Sequence, residues 1–127
     1  MKEEELKFTR NHLWVYVEDA SATVGLSDYA QKELGDIVFV EMPEKGKTVK
    51  KDEVVGTVES VKSVSDLISP LSGEIIDFNK QLEDTPELIN KDPYGEGWVF
   101  KIKLSDSSEV SDLMDYQTYS KFTEEQT

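Results

Sequence analysis

Short β-branched and aromatic runs, broken by turn residues, fill the chain from Phe8 to Leu104, and no stretch sustains a long helical period. Phe8 to Glu18 alternates as one strand, with Trp14 and Tyr16 on one face and Leu13, Val15 and Val17 on the other. Ala22 to Leu26 is a second, shorter strand. Ser27 then caps a short helix over Asp28 to Leu34, with an acidic residue at its positive end and Gly35 as a left-handed stop. Tyr29, Ala30 and Leu34 are its sheet-facing positions. Strand-like runs follow at Ile37 to Val40, Thr48-Val49, Val54 to Val58, Val64 to Ile68 and Ile75-Ile76. Gln81 to Gly97 breaks this rhythm: Thr85 to Asn90 suits one helical turn, and Asp92 to Gly97 is a conformationally demanding loop before a strand. Trp98 to Leu104 alternates most clearly, placing Trp98, Phe100, Ile102 and Leu104 on one face and lysines on the other. Ser107 or Ser108 caps a helical segment holding Val110, Leu113 and Met114, Asp115 caps a last one holding Tyr119 and Phe122, and Thr123 to Thr127 frays. The expectation is one mainly β domain over residues 1–127, with a C-terminal helical segment over about 107–124.

Two turn blocks share one spacing. In Met42-Pro43-Glu44-Lys45-Gly46 and Ser69-Pro70-Leu71-Ser72-Gly73, proline presets φ and glycine accepts positive φ, and each block follows one strand-like run and precedes another. Pro43 matches Pro70, Gly46 matches Gly73 and Val49 matches Ile76, which reads as a weak duplication: two similar sets of strands over one core. Between the blocks, residues 54–68 form a hairpin with Lys62 at its tip, in Glu59-Ser60-Val61-Lys62-Ser63. Most turn lysines are only solvated charges, but an ammonium held out on a flexible stem is one an enzyme can reach and acylate.

Composition removes whole classes of function. The chain of 127 residues has no cysteine, hence no disulfide, zinc-thiolate site or cysteine nucleophile, and any thiol chemistry must come from a cofactor. A single histidine, His12, provides no metal-binding pair and no visible partner for a nucleophile, and it reads as a structural or surface histidine rather than a catalyst. The glycines after Pro93 lack the Gly-Lys-Ser/Thr of a phosphate cradle. With 14 basic and 27 acidic side chains, the formal charge of −13 opposes nucleic-acid binding and suits either solubility or steering toward basic active-site mouths. No run reaches the ~18 apolar residues of a membrane helix. The start, Met1-Lys2-Glu3-Glu4-Glu5, lacks a signal-peptide core, so the chain is expected to be cytoplasmic and prokaryotic, or from the mitochondrial matrix if a presequence has been removed.

Gly46, Val49, Lys62 and Gly73 fall at the spacings of lipoyl-attachment domains, and the resemblance narrows to the H-protein family of the glycine cleavage system. It rests on His12-Leu13-Trp14-Val15, Val24-Gly25-Leu26-Ser27-Asp28-Tyr29-Ala30-Gln31, Leu34-Gly35-Asp36-Ile37-Val38, Glu59-Ser60-Val61-Lys62, Pro70-Leu71-Ser72-Gly73-Glu74 and Asn90 to Trp98. Leu13 stands where the family usually has a glutamate, a departure expected to affect only a surface contact. The resemblance implies a flattened β-barrel or sandwich of the barrel-sandwich-hybrid type with a few short helices. It implies lipoic acid in amide linkage to Lys62, and a carrier component rather than an enzyme. The carrier would take an aminomethyl group from glycine decarboxylase (P protein) to aminomethyltransferase (T protein). Dihydrolipoamide dehydrogenase (L protein) would reoxidise it, and a lipoate-attaching enzyme would load it. A monomer is expected, with no nucleic-acid or membrane partner and no metal. Glu59, Ser60, Val61, Ser63, Asp66, Gly46 and Gly73 are the candidates for modification or partner recognition. His12, Asp66 or an acid of the N-terminal segment would line a shelter for the loaded arm. The competing readings are a dehydrogenase lipoyl domain, a biotin carrier, a lipoyl donor or relay to other proteins, and an unmodified H-like interaction protein. Val61 and Ser63 stand where biotin carriers place methionines.

Overall fold

Residues 13–17 divide the molecule into two cores, one on each face of a sheet. In the computed structural model, which describes residues 3–126, Leu13, Val15 and partly buried Val17 face the main core. Trp14 and Tyr16 face a second, aromatic one. The sheet between the two cores has six antiparallel strands in the order β1 (Lys7–Phe8), β2 (Leu13–Glu18), β3 (Ser21–Leu26), β9 (Phe100–Leu104), β8 (Gly73–Phe78), β5 (Thr48–Val49). A second sheet of three antiparallel strands, β4 (Ile37–Glu41), β6 (Val54–Ser60) and β7 (Val64–Ile68), closes over the main core. Val40, Val58 and Leu67 from it meet Val24, Ile75 and Ile102 from the first. The fold is therefore mainly β, a sandwich of two open sheets with no closed barrel.

The paired turn blocks explain this layout. β4 and β7, which precede the two Pro-x-x-Gly blocks, are the two edges of the small sheet on either side of β6. β5 and β8, which follow the blocks, pair with each other in the large sheet. Gly46 takes φ +92 at an open turn, whereas Gly73 is required by close approach: a Cβ there would lie 1.9 Å from the carbonyl oxygen of Lys103. The duplicated half therefore repeats a strand order, but the residue match is imperfect. Val49 is buried, while its counterpart Ile76 is only partly so and Ile75 fills the core.

The helices close the open ends. α1 (Asp28–Leu34) starts at Ser27, whose Oγ accepts from the Ala30 amide, and stops at Gly35. α2 (Gln81–Asp84) and α3 (Leu88–Lys91) bury Leu82 and Ile89. α4 (Tyr116–Gln126) starts where Asp115 Oδ1 accepts from the Thr118 amide, and it lays Tyr119 and Phe122 on the aromatic core.

Several expectations change. Phe8 to Glu18 is a hairpin, not one strand: Phe8 pairs with Trp14, and residues 9–12 turn the chain, His12 at φ +66. Thr9 makes the turn, its amide donating to Leu13 O and its Oγ1 accepting from Leu13 N. Trp98 lies outside β9 and packs in the aromatic cluster, with Lys101 Nζ 5.2 Å from its ring centre, while Val99 fills the main core. Hydrogen bonds from Asn79 Nδ2 to the carbonyls of Glu96 and Trp98 end the alternation there. Asp106, not Ser107 or Ser108, caps the 3-10 turn Ser107–Asp112. The expected turn at Thr85 to Asn90 forms later, as α3, and α2 has no counterpart in the sequence reading. Thr123–Gln126 continues α4 rather than fraying, and Thr127 lies outside the described residues.

Candidate functional site

Lys62 stands on a tip whose backbone is tightly specified. β6 and β7 pair without a shift from Gly56 opposite Leu67 up to Glu59 opposite Val64, and the Ser60 amide donates to Ser63 O at 2.8 Å. Ser60, 6% exposed, turns its Oγ under the loop, where it accepts from the amides of Lys62 (3.2 Å) and Ser63 (3.1 Å). The Val61 amide donates to Asp36 O, tying the tip to the chain entering β4. Ser60 thus builds the turn, Val61 anchors it while its side chain stays 67% exposed, and Ser63 closes it. A small hydroxyl residue at position 60 satisfies two turn amides that no strand partner reaches.

The Lys62 side chain is exposed and lies across the end of α1. Its Nζ donates to the Glu33 carbonyl at 3.3 Å, a favourable place for a cation because the last carbonyls of a helix carry its negative end. Its Cε passes over Gly35, where a Cβ would be 3.1 Å away. Gly35 has φ +79 and ψ −156, positive as expected for a stop but extended rather than left-handed helical. Asn90, which the sequence reading did not single out, fixes this corner. It accepts from the Ile37 amide and donates to Gln31 Oε1 and Gly35 O, joining α3, the end of α1 and the start of β4. Its signal in the sequence is its place at the head of the Asn90 to Trp98 stretch that carries the resemblance.

Glu33 belongs to two features at once, because besides holding Lys62 it lines a groove of about 220 Å³ between α1 and the β7 edge. Asn11, His12, Tyr29, Glu33, Ser65 and Asp66 give this groove its polar groups, while Leu13, Leu34, Val58 and Ile68 are among its apolar walls. Two expected shelter residues, His12 and Asp66, therefore meet here. The N-terminal acids do not: Glu3 lines a separate cavity with Tyr94 and Tyr116. Leu13 is a wall of the groove, 2% exposed, and not the surface contact expected of it, because its strand places it on the main-core face.

Glu59 lies outside the groove. It sits in a cross-sheet row between Phe39 and Val64, and with Val38 and Val61 this row makes an exposed apolar border behind the lysine. Gly46 and Gly73 lie at the β5–β8 pair of the other sheet, where their conformation and packing serve the fold.

The family model described as "Glycine cleavage H-protein" matches residues 6–126. The glycine cleavage system H protein of Thermotoga maritima is 53% identical over 116 residues, covering 91% of this chain and 94% of that protein. A probable glycine cleavage system H protein of Aeropyrum pernix is 56% identical over 115 residues, covering 91% and 80%. The crystal structure of the H protein from Mycobacterium marinum superposes with a TM-score of 0.88 at 36% identity, covering 94% of this chain and 97% of that one.

Proposed function

This chain belongs to the glycine cleavage H-protein family, and on that premise we propose that Lys62 is the residue that carries its lipoyl group, in amide linkage to Nζ. The observation that carries the assignment is the tip itself: a lysine with a fixed backbone and an exposed amine, at the end of a hairpin bordered by exposed Val61 and Val64. Acylation removes the ammonium, and with it the charge attraction to the end of α1, which frees the arm to leave the surface. When bound, the lipoyl group supplies a dithiolane that accepts the aminomethyl unit and is reoxidised afterwards. The protein's part is effective concentration, since tethering makes each visit to a docked partner's active site partly intramolecular.

The partners of this reading are the P, T and L proteins and the lipoate-attaching enzyme, with the chain as a monomeric carrier component and not an enzyme. Glu59, within its apolar row, and the tip residues Ser60, Val61 and Ser63 are the surface that such enzymes meet first. The groove beside Lys62 fits the arm: Glu33 links the two, apolar walls suit a hydrocarbon chain, and Glu33 and Asp66 suit an ammonium at its end. A loaded arm folds into this groove between visits, while an empty arm, lacking the ammonium, stays out.

Expression in a host able to lipoylate, followed by intact mass and peptide mapping, tests the assignment. One lipoyl mass on Lys62 is expected. Lys62→Arg should take up none while keeping its unfolding free energy within about 0.5 kcal/mol, as an exposed substitution does. A lipoyl group mapped to another lysine, with Lys62 bare, refutes the assignment.

A further inference from the structure

Three side chains from three parts of the chain meet behind the groove: His12 of the β1–β2 turn, Ser27 ahead of α1, and Tyr119 of α4. Nδ1 of His12 lies 2.9 Å from Tyr119 Oη, which lies 2.7 Å from Ser27 Oγ. Ser27 is fully buried and Tyr119 is 3% exposed. Phe8 stacks flat on the Tyr119 ring, with centroids 4.4 Å apart and planes at 4°, which holds the hydroxyl in place.

Burial makes the direction of these hydrogen bonds consequential, because a buried donor without an acceptor loses its bond to water and gains nothing. Ser27 Oγ already accepts from the Ala30 amide at 3.1 Å, so one of its two lone pairs serves the helix cap. Its hydroxyl proton has one acceptor within reach among the described residues, Tyr119 Oη. A tyrosine that accepts from Ser27 directs its own proton to His12 Nδ1. Reversing the chain, with Nδ1–H donating to Tyr119 and Tyr119 to Ser27, leaves the Ser27 proton buried and unmatched.

We propose that Tyr119 is a positioning residue: its hydroxyl, oriented by Ser27, donates to His12 Nδ1 and holds the groove's imidazole neutral, with its one ring proton on Nε2. Among the described residues, the charged and titratable groups set beside His12 include Glu33 of α1 and Asp66 of β7 in the same groove, Tyr29, whose ring is tilted against the imidazole with centroids 4.7 Å apart, and Arg10, which lies over the Phe122 ring next to His12. The two carboxylates favour an imidazolium, and the Ser27–Tyr119 chain opposes one by occupying the nitrogen that would take the second proton. Burial pushes the Tyr119 hydroxyl up to about 12, so it keeps its proton throughout the neutral range. Resting on the arm reading above, the consequence is electrostatic: a neutral imidazole leaves Glu33 and Asp66 as the groove's charges and does not repel the ammonium of a loaded arm.

His12 is the chain's single histidine, so imidazole 15N NMR of the full-length, unlipoylated protein gives one unambiguous set of signals. The expected wild-type spectrum at neutral pH has a protonated Nε2 and an unprotonated Nδ1 that carries the shift of a hydrogen-bond acceptor. Tyr119→Phe should abolish that acceptor shift, Ser27→Ala should admit the Nδ1–H form, and Ser27→Thr, which keeps the hydroxyl, should preserve the wild-type pattern. A wild-type Nδ1–H tautomer, a wild-type imidazolium, or an acceptor shift unchanged in Tyr119→Phe would overturn the proposal. The wild-type spectrum decides by itself if a variant fails to fold. Because the protein is unlipoylated, the result is independent of whether Lys62 carries the arm.

Discussion

Replacing Gly35 tests whether the corner beneath Lys62 is built as described. Its φ of +79 with ψ −156 lies in a region that only glycine populates readily, so a side chain costs on the order of 1–3 kcal/mol in backbone strain. The strain cannot relax freely. The Gly35 amide donates to Gln31 O at 2.9 Å and its carbonyl accepts from Asn90 Nδ2 at 2.9 Å. Rotating the peptide out of this conformation breaks one or both bonds, each worth roughly 0.5–1.5 kcal/mol. The new Cβ would also lie 3.1 Å from Lys62 Cε, but that atom is near the end of a flexible, exposed side chain and moves aside at little cost. Backbone strain therefore dominates. With a urea m-value of about 1–3 kcal/mol per molar, Gly35→Ala should lower the unfolding midpoint by roughly 1 M, and Gly35→Val by more, since β-branching narrows the backbone further. Urea titration followed by tryptophan fluorescence measures this directly, and lipoyl acceptance at Lys62 should persist in the folded fraction. Unchanged midpoints in both variants would refute the conformation assigned to Gly35.

Two further outcomes are expected. Burial raises the Tyr119 hydroxyl to about 12 and raises Tyr94 in the same direction, so between pH ~10 and 12 the unfolded chain has released protons that the folded chain keeps. Stability is then fully present below pH ~10 and falls as pH rises, by at most about 1.4 kcal/mol per pH unit per group; Tyr119→Phe should flatten that slope, and an unaltered slope would refute the coupling. The loaded arm should break down more slowly on the folded protein than on a short peptide spanning Lys62, and equal rates would show that the groove gives no shelter.

Legibility followed the range of the interactions. Ser27 and Gly35 bounded α1 correctly, because caps are local: one side chain and one backbone conformation within a few residues. The split of Trp14 and Tyr16 from Leu13, Val15 and Val17 was also legible, since alternation alone assigns faces. What alternation cannot carry is a break in register. Thr9 folds the first strand back on itself, and Asn79 detaches Trp98 from β9 by reaching across the chain to two carbonyls. Both are polar side chains acting on backbone, and neither disturbs the hydrophobic pattern that reads as continuous strand.

The site divides along the same line. The Lys62 hairpin is contiguous in sequence, so its tip could be located from two β-branched runs and the few residues between them. The groove beside it is assembled from residues 11–13, α1 and β7, which meet only because both sheets close over one core. That assembly changes the meaning of single residues. Leu13, whose departure from the resembled pattern is expected to touch only a surface contact, is turned inward by β2, and His12, with nothing chemical next to it in sequence, gains Tyr119 from 107 residues away. The departure at Leu13 therefore falls in the groove and not on the outer surface: an apolar side chain forms the wall there, and Glu33 and Asp66 are the acids among the described residues that line it. An apolar wall at position 13 sets no further carboxylate beside the imidazole, which is compatible with the tautomer that the Ser27–Tyr119 chain is proposed to hold.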